Sequence, residues 1–195
     1  MSSKKLLLII LDGWGIGSKS EHNAIYKGNT PFFDHCIKTG AVTHLKAAEE
    51  AVGLVPGQIG SSEVGHMHIG AGRIVPGDLK RIDDDIADGS FFENKTFVKA
   101  MDRVKRDTSR LHLLGVMSDG GVHGHQEHLF ALLKMAKDHD VKEVYIHAFS
   151  DGRDTPPTSS LNYFPQLEKK IQEIGVGKIA TLCGRYYAMD RDRNW

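Results

Sequence analysis

The sequence predicts an α/β protein with mostly parallel sheets flanked by helices, and three observations predict it. Strand-like and helix-like periods alternate along much of the chain. Leu6 to Leu11 is continuously apolar, the pattern of a strand buried on both faces. Strand after strand then ends in small polar chemistry: Asp12-Gly13, Ser118-Asp119-Gly120, Ser150-Asp151-Gly152 and Gly184-Arg185. In open α/β sheets ligands bind beyond the carboxyl ends of the strands. A single Asp-Gly is ordinary turn chemistry. Its repetition, with His123, Arg153, Asp154 and Arg185 just beyond, points to a site.

Each element follows from local signals. After the first apolar run and a polar loop, Thr30-Pro31 offers an N-cap and a proline at the first helical position, with Gly40 past the helix end. Ala41 to Ala48 is a second candidate strand, followed by a loop over 53–60 that contains Pro56. Within the glycine-rich Gln58–Arg73 stretch, Glu63 to Ile69 can open a helix. Val75-Pro76-Gly77-Asp78 is the best boundary, because proline and glycine together punctuate a chain. Leu79, Ile82 and Ile86 have helical spacing, as do Phe97, Met101 and Val104. Leu111–Met117 reads as a strand, and Leu129, Leu132, Leu133 and Ala136 mark a helix. Val144–Phe149 is the next strand, Phe164, Leu167, Ile171 and Ile174 the next helix closed by Gly175, and Ile179–Leu182 the last strand.

Composition bounds the function. The 195 residues suit one domain or one and part of another, with 40% apolar and 26% charged residues. Lysine plus arginine equals aspartate plus glutamate, 25 each, so no nucleic-acid or membrane partner is indicated. Cys36 and Cys183 lack metal-type spacing and read as reduced thiols, which with the lack of a signal core or spanning run predicts a soluble, cytoplasmic protein.

Several motifs compete for the chemistry. Gly13-x-Gly15-x-Gly17 is a poor dinucleotide loop, since its spacing is wrong and Trp14 is bulky where a pyrophosphate would approach. Asp12 makes better sense there as a metal ligand. His123-x-His125-x-Glu127-His128 nearly matches a zinc-hydrolase motif, yet it leads into an amphipathic helix rather than a β-rich sandwich. Around Ser62 the nucleophile-elbow pattern fails at Val64. A nucleophilic Ser62 therefore needs another activator, and a divalent metal can act so. Carboxylate and hydroxyl oxygens favour a hard ion such as Mn²⁺ or Mg²⁺. Arg153, Arg185, Arg191 and Arg193 form a late basic set suited to carboxylate and phosphate.

Five blocks together resemble a known family: Leu11-Asp-Gly-Trp-Gly, Ser62-Glu-Val-Gly-His66 with Ile69-Gly-Ala-Gly-Arg73, Ser118-Asp-Gly-Gly-Val-His123, Asp151-Gly-Arg-Asp-Thr-Pro-Pro157 and Gly184-Arg-Tyr-Tyr-Ala-Met-Asp-Arg191. They resemble the cofactor-independent phosphoglycerate mutases, isomerases of glycolysis and gluconeogenesis in the alkaline phosphatase superfamily. The resemblance implies interconversion of 3-phosphoglycerate and 2-phosphoglycerate through a phosphoserine, with two divalent metals, Mn²⁺ foremost and Mg²⁺ the alternative, and no 2,3-bisphosphoglycerate. It implies Ser62 as nucleophile and metal ligand, Asp12 as ligand of the same metal, and His123, Arg153, Asp154, Arg185 and Arg191 as substrate-binding residues. Residues 1–76 would be the N-terminal portion of a metal-binding, phosphatase-like domain. Residues 77–195 would be the first part of an inserted substrate-binding domain.

Ser61 and His68 stand where the family usually has asparagine, and Asn194 where a basic residue is usual. Family members are much longer, so the chain is expected to be a fragment, inactive alone, of an enzyme that is monomeric at full length. An inert binding module remains the alternative from another class, and a phosphatase or phosphopentomutase of the same superfamily the alternative enzyme.

Overall fold

The computed structural model describes residues 5–189. The chain divides into two compact units, Met1–Val52 with Gly57–Val75, and Gly53–Pro56 with Pro76–Trp195.

The first unit is helical where it is regular. Helix α1 (Ala24–Lys27) starts at Asn23, whose side-chain oxygen accepts the N–H groups of Ile25 and Tyr26. Helix α2 (Pro31–Thr39) has the proline at its first position, and the N–H of Gly40 closes it on the carbonyl of Cys36. Thr30 sits at the expected cap, but its hydroxyl donates to Asp34 (3.1 Å) instead of accepting a backbone N–H. A 3₁₀ turn (Glu49–Val52) precedes α3 (Ser62–Ala71). The turn is tied back by Glu49 N–H to the Gln58 carbonyl (3.0 Å) and by Gly57 N–H to the Glu49 carboxylate (3.1 Å). Gly60 is required beside it, since a Cβ there would stand 1.7 Å from the backbone oxygen of Ala47.

Two expected strands do not form. Leu6–Leu11 and Ala41–Ala48 have no strand pairing among the described residues, and Leu6 is 95% exposed. Apolar composition makes a segment able to be a buried strand. It becomes one only when a neighbour accepts its backbone hydrogen bonds, and this unit has no strand among its described residues to do so.

The second unit holds the α/β architecture. Helix α4 (Asp78–Asp88), a 3₁₀ turn (Ser90–Glu93) and α5 (Lys95–Arg106) lead into β1 (Leu111–Met117), α6 (Gln126–Asp138), β2 (Val144–Ser150), α7 (Ser160–Ile174), β3 (Lys178–Gly184) and α8 (Arg185–Ala188). The three strands form one parallel sheet in the order β1-β2-β3, with Leu111 opposite Val144 and Tyr145 opposite Lys178. One face packs Val144, Ile146 and Ala148 into a core with Leu133 and Ala136 of α6 and Leu167 of α7. The other face carries His112, which stacks on Tyr145 and His147, and Leu114, which is largely exposed. Parallel registry brings the carboxyl ends of all three strands to one edge, followed at once by Ser118, Asp151 and Arg185. Cys36 and Cys183 are both free. None of the described helices is long and apolar enough to cross a membrane.

Candidate active site

In the first unit, the turn after Leu11 presents Asp12, with Trp14 N–H bonded to the Leu11 carbonyl at 3.0 Å. The two serines at the start of α3 divide their work. Ser61 is the N-cap, its hydroxyl accepting the N–H of Val64 at 3.3 Å. Ser62 is the first helical residue, and its Oγ donates to the Asp12 carboxylate at 2.5 Å. One turn on, His66 Nδ1 lies 2.8 Å from the Ser62 carbonyl and 3.2 Å from its Oγ. An Nδ1–H there can donate to both oxygens, which leaves the serine proton directed at Asp12. Asp12 and Ser62 set two hard oxygen donors side by side, chemistry suited to a divalent cation such as Mg²⁺ or Mn²⁺. Among the described residues no three His, Cys, Asp or Glu side chains gather to complete a ligand set.

In the second unit, the strand-end residues form a buried charged cluster. Asp151 accepts Ser118 Oγ (2.6 Å), the N–H groups of Arg153 and Asp154 (both 3.1 Å) and Arg185 Nη1 (3.0 Å). Arg185 Nη1 also donates to Asp154 Oδ2. Burial drives the Asp151 pKa up, but the Ser118 hydroxyl, the two backbone N–H groups and the guanidinium outweigh it and hold the carboxyl at about 2. The pKa of Arg185 is raised, above all by its bond to Asp154, and its charge is secure. Gly120 lets the loop after β1 lie against the loop after β2, since a Cβ there would meet Asp154 Cβ at 3.0 Å and Thr155 Cγ2 at 3.1 Å. Tyr163 of α7 donates to Asp119, which fastens the β1 loop from the helix side and raises the tyrosine pKa.

The expected residues thus fall into two groups. Asp12 and Ser62 meet in the first unit, and Asp154 and Arg185 meet in the second. Arg153 shares the turn of Asp154 with its side chain exposed, and His123 lies exposed in the loop between β1 and α6. Arg191 lies outside the described residues. The histidine motif is spent on structure: His125 caps α6 through Glu127 N–H, and His128 bonds Asp83 at 2.7 Å. In the sequence, Asp151, Ser118 and Asp119 are legible only as strand-end turn chemistry, Tyr163 carries no signal of its own, and His66 is only part of a glycine-rich block.

Comparison with known proteins gives the family. Residues 82–195, more than half of the chain, match the family described as BPG-independent PGAM N-terminus. A 2,3-bisphosphoglycerate-independent phosphoglycerate mutase of Acetivibrio thermocellus is 52% identical over 195 residues, which are 100% of this chain and 38% of that protein. The enzyme of the same name from Clostridium beijerinckii is 53% identical over the same span and share. Leishmania mexicana phosphoglycerate mutase, in crystal structures at low cobalt concentration, superposes with a TM-score of 0.70 and 31% identity, covering 91% of this chain and 34% of that one. The chain therefore spans well under half the length of the relatives it matches. On the family match and these relatives, the chain belongs to the BPG-independent PGAM N-terminus family, the N-terminal portion of the 2,3-bisphosphoglycerate-independent phosphoglycerate mutases.

Proposed function

We propose that this chain is the part of a phosphoglycerate mutase that supplies the nucleophile and the first substrate contacts for interconverting 3-phosphoglycerate and 2-phosphoglycerate. The observation that carries the reading is the Ser62 hydroxyl at the start of a ten-residue helix, 2.5 Å from the carboxylate of Asp12. Residues 1–76 are read as the first portion of the metal-binding, phosphatase-like domain, and 77–195 as the first part of the substrate-binding domain.

Asp12 and Ser62 would hold a divalent cation, Mn²⁺ or Mg²⁺, which when bound supplies charge to lower the serine pKa. Ser62 takes the phosphoryl group from one oxygen of phosphoglycerate: the Ser62 Oγ–P bond forms as the substrate P–O ester bond breaks, and the serine proton, passed by way of the Asp12 carboxylate, ends on the glycerate oxygen that leaves as a hydroxyl. Ser62 returns the group to the other hydroxyl after glycerate reorients. Arg185 and Arg153 face anionic groups of the substrate, and the guanidinium fork matches carboxylate or phosphate in two bonds. Asp154 is placed to meet a glycerate hydroxyl, and His123 and Arg191 complete the substrate set. The cycle needs no 2,3-bisphosphoglycerate, because the phosphoryl group stays on the enzyme between the two hydroxyls. The 195-residue chain alone is inert, since two oxygen donors do not make a two-metal centre.

The test is a serine pair in the full-length enzyme. Ser62→Ala is expected to abolish interconversion and the phosphoserine seen by mass spectrometry, while Ser61→Ala keeps most activity and loses about 1 kcal/mol of helix-cap stability. The opposite pattern would give the role to Ser61.

A further inference from the structure

We propose that Asp151 is the positioning residue of the substrate pocket, one carboxylate that fastens the loops leaving all three strands and so sets Arg185, Arg153 and Asp154 in place. The inference rests on the phosphoglycerate reading of those three residues.

The geometry assigns the role. The Asp151 side chain is only 1% exposed, so it is shielded from ligand as well as from solvent. Its Oδ2 accepts the hydroxyl of Ser118, the residue directly after β1. Its Oδ1 accepts the N–H groups of Arg153 and Asp154, in the turn that follows β2. The same oxygen accepts Nη1 of Arg185, the residue directly after β3. Four donors from three strand ends meet on one anion.

Its charge also selects how Arg185 is held. Asp151 and Asp154 both act on Nη1. The guanidinium is therefore anchored by one corner, and its Nε and Nη2 edge is the edge an incoming carboxylate or phosphate would take. A buried arginine without that anchor would adopt other rotamers, and capture would pay for restoring the productive one. Aspartate has the geometry for this, because a carboxylate is acceptor-only and offers about four lone-pair sites. An asparagine of the same shape turns one of those acceptors into a donor. Facing Ser118, whose hydroxyl can accept in turn, that N–H keeps a contact but the charge that holds Arg185 is gone; facing the other side, it opposes the three donors from Arg153, Asp154 and Arg185.

The experiment is steady-state kinetics on the full-length enzyme, comparing Asp151→Asn, Arg185→Lys and the double variant. Asp151→Asn is expected to raise KM for 3-phosphoglycerate about tenfold while kcat changes less than about threefold, the signature of lost binding-state order. The double variant is expected to have a KM increase clearly below the product of the two single increases, because part of the Asp151 effect passes through Arg185 and the two changes do not add. A folded Asp151→Asn enzyme with the parental KM, or with a KM increase that multiplies with that of Arg185→Lys, overturns the proposal. If Asp151→Asn does not fold, Ser118→Ala takes its place. It removes one donor from the same carboxylate, a KM raised about threefold supports the role, and an unchanged KM overturns it. A parent enzyme that does not interconvert the phosphoglycerates overturns the functional reading and this inference with it. An active parent with an unmoved Asp151→Asn overturns the inference alone.

Discussion

At the scale of single residues, the decisive partnerships are between positions far apart in the chain. Asp151 shows how environment sets chemistry. Its carboxyl is held at about 2 against the ordinary 3.8, burial being outweighed by Ser118, two backbone N–H groups and Arg185. Because the folded value is the lower one, the stabilisation is present above the unfolded pKa and is lost as pH falls through the folded value. Acid titration of the full-length enzyme is therefore expected to show a loss on the order of 2 kcal/mol between about pH 4 and pH 2, and Asp151→Asn should remove that portion of the decline. An identical acid profile in the variant would mean that the four donors do not favour the charged form. The sequence displayed Asp151 as one of several strand-end aspartates. Nothing local distinguished it from Asp119, whose partner is a tyrosine on α7.

At the scale of elements, the second unit was legible because its periods are local. The expected strand Leu111–Met117 is β1 at both ends, and the Phe164–Leu167–Ile171–Ile174 spacing lies within α7, with Gly175 as its cap. These helices hold the sheet through one buried stripe, and Leu167 is fully buried among β2 and α6 residues. Leu167→Ala is expected to cost about 2–5 kcal/mol, because deletion loses both transfer free energy and packing around the cavity. The denaturation midpoint of the full-length enzyme should fall accordingly, whereas an unchanged midpoint would remove Leu167 from the core. The first unit was less legible. Thr30 looked like a helix cap and bonds a side chain instead. Ser61, noted as a departure at a position usually asparagine, does the capping for α3 and leaves Ser62 to Asp12.

At the scale of the whole molecule, the family was legible from five blocks whose order and length leave little room for coincidence. The match over residues 82–195 and the relatives spanning the full 195 residues agree with it. Metal dependence is tested at this scale, because the proposed ligands Asp12 and Ser62 supply only two oxygen donors. In the full-length enzyme, chelator treatment is expected to stop interconversion and added Mn²⁺ to restore it, as followed by coupled assay of 2-phosphoglycerate formation. Persistent activity after complete metal removal, verified by elemental analysis, would overturn the role given to Asp12.

The sequence by itself determined the α/β class, the element types of the second unit and the kinds of side chain placed beyond each strand. Those follow from hydrophobic period and turn chemistry, which act over a few residues. Tertiary structure decided that Leu6–Leu11, apolar enough for a buried strand, pairs with none among the described residues, because a strand exists only with its neighbour. It also decided which carboxylate meets which partner. Ser118 reaches Asp151 across 33 positions and Arg185 reaches it across 34, distances in sequence that only the parallel registry of three strands can close.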